Sequence, residues 1–237
     1  MTHALELRDV RAGYGRIEVL HGVSIDVPHG SVVALLGRNG MGKTTTLRAI
    51  SGTIPCNSGS IRLNGRRIDG RRASTIASRG LVLVPEGRGV FPGMSVRDNL
   101  AIAHRSGGKA AGDWDGFLAG VSEAFPVLGQ RLDQSAGLLS GGEQQMLAVS
   151  RALAGDPQLL MFDELSMGLA PIIVDQLMDR VAKLRDEGRT IVLVEQYLTH
   201  ALKLADLCYV LAKGRVEWVG EPGELQNMPA ASSYLSA

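Results

Sequence analysis

The sequence predicts an α/β protein with a mainly parallel core sheet, an antiparallel N-terminal β layer and an inserted helical subdomain. Three observations predict it. The first is a set of four short, wholly apolar runs: Val32–Leu36, Leu81–Val84, Leu159–Phe162 and Ile191–Val194. Successive side chains on a strand point to opposite faces, so a run without polar positions suits a strand buried on both sides, as in a parallel sheet covered by helices. The second is that each run ends abruptly, at Gly37, Pro85-Glu86, Asp163-Glu164 and Glu195-Gln196. Open α/β sheets bind ligands at the carboxyl ends of their strands, so four strand ends point at one site. The third is the loss of strand signals between Ser95 and Ala154, where helical periodicity takes over.

Taken in chain order, Leu5–Val10 and Val23–Val27 alternate apolar and polar residues, the pattern of a half-solvated antiparallel layer. Val32–Leu36 is the first core strand, and a helix over Lys43–Ser51 follows it. After Leu81–Val84, helices are expected over Val96–His104, Asp113–Ala124 and Gly141–Ala154, with Ser106-Gly107-Gly108 as a loop. Leu159–Phe162 and Ile191–Val194 flank a helix over Ile172–Glu187, and Thr199–Leu204 forms another. From Glu221 a short helix gives way to a weakly structured tail. The expected organisation is a single domain over residues 1–237. Residues 1–90 and 156–237 form its α/β core, and residues 91–155 form the helical subdomain.

Composition narrows the function classes. With 237 residues, 45% hydrophobic and 21% charged, the chain is long enough for one substantial core. A net charge of +1 supplies no overall field toward nucleic acid or a membrane surface. Cys56 and Cys208 lack metal-ligand spacing and are expected as inert small hydrophobes in a reducing compartment. No secretory signal is expected over Met1–Glu6, and no apolar stretch approaches the length that spans a bilayer. A role at a membrane must therefore come through a partner chain.

Gly37-Arg38-Asn39-Gly40-Met41-Gly42-Lys43-Thr44 fits the pattern G-x-x-x-x-G-K-[ST] directly after a buried strand. The glycines let backbone N–H groups converge on phosphate oxygens, Lys43 reaches the β- and γ-phosphates, and the Thr44 hydroxyl is a Mg²⁺ ligand. Thr45 continues the loop into a helix whose positive end faces the anion. After Leu159–Phe162 come two carboxylates. Asp163 is assigned to Mg²⁺ and Glu164 to polarising the attacking water.

Leu139-Ser140-Gly141-Gly142-Glu143-Gln144-Gln145 is the most specific string. Locally it is a capping box, with Ser140 capping a helix and Glu143 reaching back. Met146, Val149 and Leu153 are expected to form a buried stripe behind it, and Gly155-Asp156-Pro157 stops the helix. Ser140 and the two glycines also leave a helix start ready for an anion. At this point the chain resembles the ATP-binding-cassette (ABC) ATPases, P-loop NTPases whose hallmark string resembles LSGGQ and lies between the phosphate loop and the acidic pair. The resemblance covers nearly the whole chain. It implies ATP and Mg²⁺ as cofactors and a two-chain nucleotide sandwich in which Ser140, Gly141 and Gly142 serve the nucleotide of a partner subunit. It further implies that Tyr14 stacks on adenine, and that Ser166-Met167-Gly168 lies in a loop crossing the dimer interface. Glu86 falls where the family usually has a Mg²⁺-sensing Gln.

Two departures narrow the resemblance. Glu86 replaces that Gln, its charge to be offset by Mg²⁺ or a cation such as Arg88. Gln196 replaces a switch His; it can donate to a γ-phosphate oxygen but carries no proton at any pH. His200, one helical turn on, is read as an ordinary helix-surface histidine. With Val84-Pro-Glu-Gly-Arg88 and Gly168-Leu-Ala-Pro-Ile-Ile-Val174, the pattern resembles the glutamine-switch ATPase of high-affinity branched-chain amino-acid importers. Leu165 stands where most relatives have Pro and is expected to loosen the turn after the acidic pair.

The implied partners are transmembrane permease subunits, a second ATPase subunit (the same chain or another) and, indirectly, a solute-binding protein, at the cytoplasmic face of the cell membrane. Coupling is expected through the loop near Glu86 and through Phe91–Asn99. An importer for urea or a short amide remains open. An ABC ATPase acting on DNA or ribosomes is disfavoured, because no heptads lie between phosphate loop and signature and the chain holds one cassette. A binding scaffold without turnover is disfavoured by intact Lys43, Asp163 and Glu164.

Overall fold

The computed structural model describes residues 3–108, 112–195 and 198–227. Strands β1 (His3–Tyr14) and β2 (Ile17–Pro28) pair antiparallel, and β4 (Cys56–Leu63) and the two-residue β5 (Arg66–Arg67) extend that layer in the order β2-β1-β4-β5. The main sheet contains β3 (Val32–Leu36), β6 (Leu81–Val84), β7 (Leu159–Asp163), β8 (Thr190–Val194), β9 (Leu207–Ala212) and β10 (Arg215–Gly220) in the order β10-β9-β3-β8-β7-β6. All its pairings are parallel except the β9–β10 edge.

The apolar runs are explained by two cores, one on each face of this sheet. Val32, Ala34 and Leu36 of β3 enter one core, while Val33 and Leu35 enter the other. The second core lies under β1, β2 and β4 and under α1 (Lys43–Ile50). The first is covered by the helices that follow β6 and those of the C-terminal half. These are α3 (Val96–Gly107), α4 (Trp114–Ala124), α5 (Pro126–Gln130), α6 (Gly141–Leu153), α7 (Pro171–Asp186), α8 (Leu198–Leu204) and α9 (Pro222–Asn227). A short α2 (Ala73–Ala77) precedes β6. Each large aliphatic side chain so buried contributes about 1.5–3 kcal/mol relative to exposure. Every residue of β3, β7 and β8 is buried, so these strands seat the chemistry at their carboxyl ends on rigid ground.

Several boundaries differ from expectation for local reasons. Helix α3 continues through Ser106 and Gly107, where a loop is expected. The Ser106 hydroxyl donates to the carbonyl of Ile102 at 2.8 Å, so it is satisfied inside the helix and does not break it. Asp113 is the N-cap of α4 and not its first residue, its carboxylate accepting from the N–H of Gly116 at 2.8 Å. Strands β4, β5, β9 and β10 and helices α2 and α5 have no counterpart in the sequence reading. Cys56 is part-buried and Cys208 buried, both as free thiols, and burial pushes the Cys208 thiol up to about 11.

Candidate functional site

Gly37 leaves β3 at φ 140, and a Cβ there would run into the carbonyl oxygen of Leu211. Arg38, Asn39 and Gly40 are exposed, and Met41 ties the loop to the β9–β10 turn by accepting from the N–H of Gly214 at 3.1 Å. Gly42 then starts α1 in the left-handed region, φ 105 and ψ 4, with no side-chain cap. The first-turn N–H groups of a helix have no intrahelical acceptor, so an uncapped start presents them to an anion. Lys43 is 3% exposed, and its Nζ donates to the carbonyls of Gly37 (2.8 Å) and Arg38 (3.3 Å). Thr45 is buried next to it. Gly37→Ala is expected to cost about 2–4 kcal/mol, through a disallowed φ and the Leu211 clash, measured by thermal unfolding. Nucleotide affinity should fall at least about tenfold with it.

The acidic pair meets this loop. The Thr44 hydroxyl donates to Asp163 Oδ1 at 3.1 Å, and Lys43 Nζ stands 3.8 Å from Glu164 Oε1. Burial pushes the Lys43 ammonium below the ordinary lysine range, against the attraction of Glu164 and Asp163. Burial also raises the Asp163 carboxyl from 3.8 to about 6; Thr44 opposes the rise, and Glu164 and Glu86 add to it. A buried carboxylate short of compensating positive charge, with a hydroxyl beside it, is a hard-oxygen pair of the kind Mg²⁺ takes, so these residues fit that ion. Exposed Glu86 enters through its field on Asp163.

Glu164 sits at φ 52, a left-handed position for a non-glycine residue, held by its N–H to the carbonyl of Val194 at 2.9 Å. Leu165 is packed beneath this turn. It is 1% exposed and part of the core, so it anchors the segment that a proline would otherwise stiffen. A contact that sequence reasoning missed follows it. Buried Glu195 accepts from the N–H of Ser166 at 3.2 Å and from the Ser166 hydroxyl, fastening the loop after the acidic pair to the end of β8. Gln196 lies outside the described residues. His200 is half-buried, with Nε2 3.8 Å from Asp175 Oδ1 of α7.

The signature string is set apart from this cluster. Ser140 accepts from the N–H of Glu143 at 3.3 Å, and Glu143 Oε2 accepts from the N–H of Ser140 at 2.8 Å, closing the expected capping box. Gly142 packs against Ile173 of α7. Among the described residues, no hydrogen bond or ion pair joins Ser140, Gly141 or Gly142 to the phosphate loop or the acidic pair of the same chain. Arg88 does not offset Glu86. Its Nη1 donates to Gln144 Oε1 at 2.8 Å, on the signature helix. Tyr14, 41% exposed, accepts from Arg48 Nη1 at 3.1 Å, and the Arg48 guanidinium stands 5.9 Å from its ring centroid. The Tyr14 ring is thereby fixed beside the last turn of α1.

Comparison with known proteins agrees with this arrangement. The family model described as ABC transporter matches residues 20–166. The high-affinity branched-chain amino acid transport ATP-binding protein BraG of Pseudomonas aeruginosa is 46% identical over 212 residues, 90% of each chain. A protein of Archaeoglobus fulgidus named as a probable branched-chain amino acid transport ATP-binding protein, LivF, is 37% identical over 222 residues, 92% of this chain and 93% of that one. A solved ATP-binding subunit of an ABC transporter superposes with a TM-score of 0.84 at 28% identity, over 99% of this chain and 95% of that chain. Among the described residues no helix is long and apolar enough to cross a membrane. The chain belongs to the ABC transporter family, as one of its ATP-binding subunits, in which ATP hydrolysis is coupled to transport.

Proposed function

We propose that this chain powers a membrane importer of branched-chain amino acids, as a peripheral subunit at the cytoplasmic face, bound to permease subunits and to a second ATPase subunit. The observation that carries the solute assignment is the 46% identity to BraG over 90% of both chains. In this reading residues 1–90 and 156–237 are the nucleotide-binding core and residues 91–155 the helical signature subdomain of one cassette.

Each site residue has a distinct role in this reading. The loop from Gly37 to Thr44 and the uncapped start of α1 bind the phosphates of ATP, with Lys43 swinging from the carbonyls of Gly37 and Arg38 to the β- and γ-phosphate oxygens. Tyr14 offers its exposed ring face to adenine. Thr44 and Asp163 would hold Mg²⁺, with Glu86 nearby. Bound there, the ion neutralises phosphate charge that Lys43 alone leaves uncompensated. Glu164, whose Oε1 stands 3.8 Å from Lys43 Nζ, accepts the proton of the attacking water. Gln196 donates to the γ-phosphate. Ser140, Gly141 and Gly142 close on the nucleotide of the partner subunit, which is consistent with their having no contact to their own phosphate loop.

A groove of about 1170 Å³ runs between the core and residues 91–155, lined by Phe91, Ile102, Arg151 and Gln158 among others, and is the surface offered to the permease. The decisive experiment is reconstitution with the cognate permeases in liposomes. Labelled leucine should accumulate only with ATP inside and with the leucine-loaded binding protein outside. Uptake of urea or a short amide in place of leucine would overturn the solute assignment and leave the ATPase standing.

A further inference from the structure

The segment that leaves β6 carries Glu86 and then does something costly. Gly87, Arg88 and Gly89 are three consecutive residues with positive φ, at 87°, 71° and 63°. Glycine adopts that region freely; arginine does not, because its Cβ crowds the following carbonyl. A conformation of this kind persists where the surroundings hold it in place. Two arginines supply the hold, Arg88 reaching from the loop to α6 and Arg151 reaching from α6 back to the loop.

At the start of α6, Arg88 Nη1 donates to Gln144 Oε1 at 2.8 Å, and the Gln144 amide nitrogen donates to the carbonyls of Ala136 (3.1 Å) and Leu139 (3.3 Å). Those two acceptors fix which way the amide faces and leave its oxygen for Arg88. The guanidinium lies across the first turn of the helix: a methyl group placed on Gly141 would stand 2.7 Å from Arg88 Nη2. Toward the end of α6, Arg151 donates to the carbonyl of Gly89 and stacks its guanidinium 4.6 Å from the Phe91 ring centroid. Fully buried Asn99 completes the attachment, accepting from the N–H of Phe91 at 2.9 Å and donating to its carbonyl at 3.0 Å. Residues 86–91 are thus tied to the signature helix at points two turns apart. Among the described residues no carboxylate pairs with Arg88, so the amide of Gln144, not a countercharge, orients it.

We propose that Arg88 is a positioning residue for the phosphate site that this chain completes on its partner. Acting through Gln144, it couples the placement of the Glu86 loop, beside the chain's own nucleotide, to the placement of Ser140–Gly142. The inference rests on the reading above that Ser140–Gly142 act on the partner's nucleotide. A helix start moved by 1 Å loses phosphate contacts that depend on geometry, whereas the chain's own phosphate loop, which touches neither Arg88 nor Gln144, is undisturbed.

The test uses the assembled transporter for ATPase rates and the isolated chain for binding of a fluorescent ADP analogue. Arg88→Ala should lower kcat about tenfold and move the Hill coefficient for ATP toward one, with ADP-analogue affinity within about twofold of the parent. Gln144→Ala should reproduce this, and the double variant should be no worse than either single one. Costs that add would overturn the inference in favour of Arg88 as a direct phosphate ligand. A parallel loss of ADP-analogue affinity, or a wild-type rate in Arg88→Ala, would also overturn it. Ser140→Arg in the same assembly separates the two levels. If that variant is inactive while Arg88→Ala is normal, this inference alone fails; if Ser140→Arg turns over normally, the partner-site reading fails and takes the inference with it.

Discussion

Glu164→Gln is expected to lower ATP turnover by about 10²–10⁴-fold while leaving ATP binding intact, so that closed, ATP-loaded dimers accumulate. The substitution changes one property. Gln has the size and hydrogen-bonding reach of Glu, and the backbone that holds position 164, with its N–H bonded to Val194, does not involve the side chain. What is lost is a group able to take a proton from water. The phosphate loop is untouched, because Lys43 is held by the carbonyls of Gly37 and Arg38 and stands 3.8 Å from Glu164 without depending on it. Removing that carboxylate also removes a negative charge that repels the γ-phosphate, so affinity for ATP should hold or rise. Phosphate release, nucleotide binding and sedimentation of the variant measure the three effects. Turnover at the parental rate would transfer the water-activating role to another group.

Much of this site was legible because its parts are contiguous in sequence. Gly37–Thr44, Asp163-Glu164 and Ser140–Gly142 each fold as a local unit on a strand end or helix start, and local units leave patterns. The core strands were legible for a related reason: with an apolar core on each face of the sheet, β3, β7 and β8 have no polar position to obscure them. Strand β4 shows the opposite case. Of its eight residues only Ile61 and Leu63 are buried, so Cys56-Asn-Ser-Gly-Ser reads as loop and its pairing with β1 decides its structure.

The illegible features are contacts between segments far apart in the chain. Ser166 and Glu195 are 29 positions apart, and Arg88 and Gln144 are 56 apart. Nothing in either sequence neighbourhood marks the pairing. Arg88 seemed a partner for Glu86 because the two are only two positions apart in sequence. The run of positive φ at 87–89 turns its side chain toward the signature helix, and backbone torsion at a non-glycine residue leaves no trace in residue type. Leu165 shows the same limit: its burial in the core beneath the turn is not marked by its sequence neighbours.

Asp163→Asn is expected to abolish Mg²⁺-dependent hydrolysis and, with nucleotide absent and a chelator present, to stabilise the protein. The carboxyl of Asp163 has its pKa raised from 3.8 to about 6 in the folded chain, chiefly by burial. The sign follows directly. An acid whose folded pKa exceeds its unfolded value prefers to be neutral in the fold, so stability is full below pH 3.8, declines as pH rises toward 6, and stays reduced above it. A shift of about two units corresponds to a ceiling of about 3 kcal/mol, and partial access of water lowers the expected gain to about 1–2 kcal/mol. Asparagine keeps the shape and an acceptor for the Thr44 hydroxyl, and it removes the charge. At pH 8 the variant should therefore melt about 3–8 °C above the parent, with the gap closing as pH falls from 6 to 4. Lower stability of the variant at pH 8 would mean that Lys43 already compensates the carboxylate in the empty site. The physical content of the prediction is that this chain holds a carboxylate where it is unfavourable until ligand arrives. Hydrolytic function and apo stability are then set against each other at one residue.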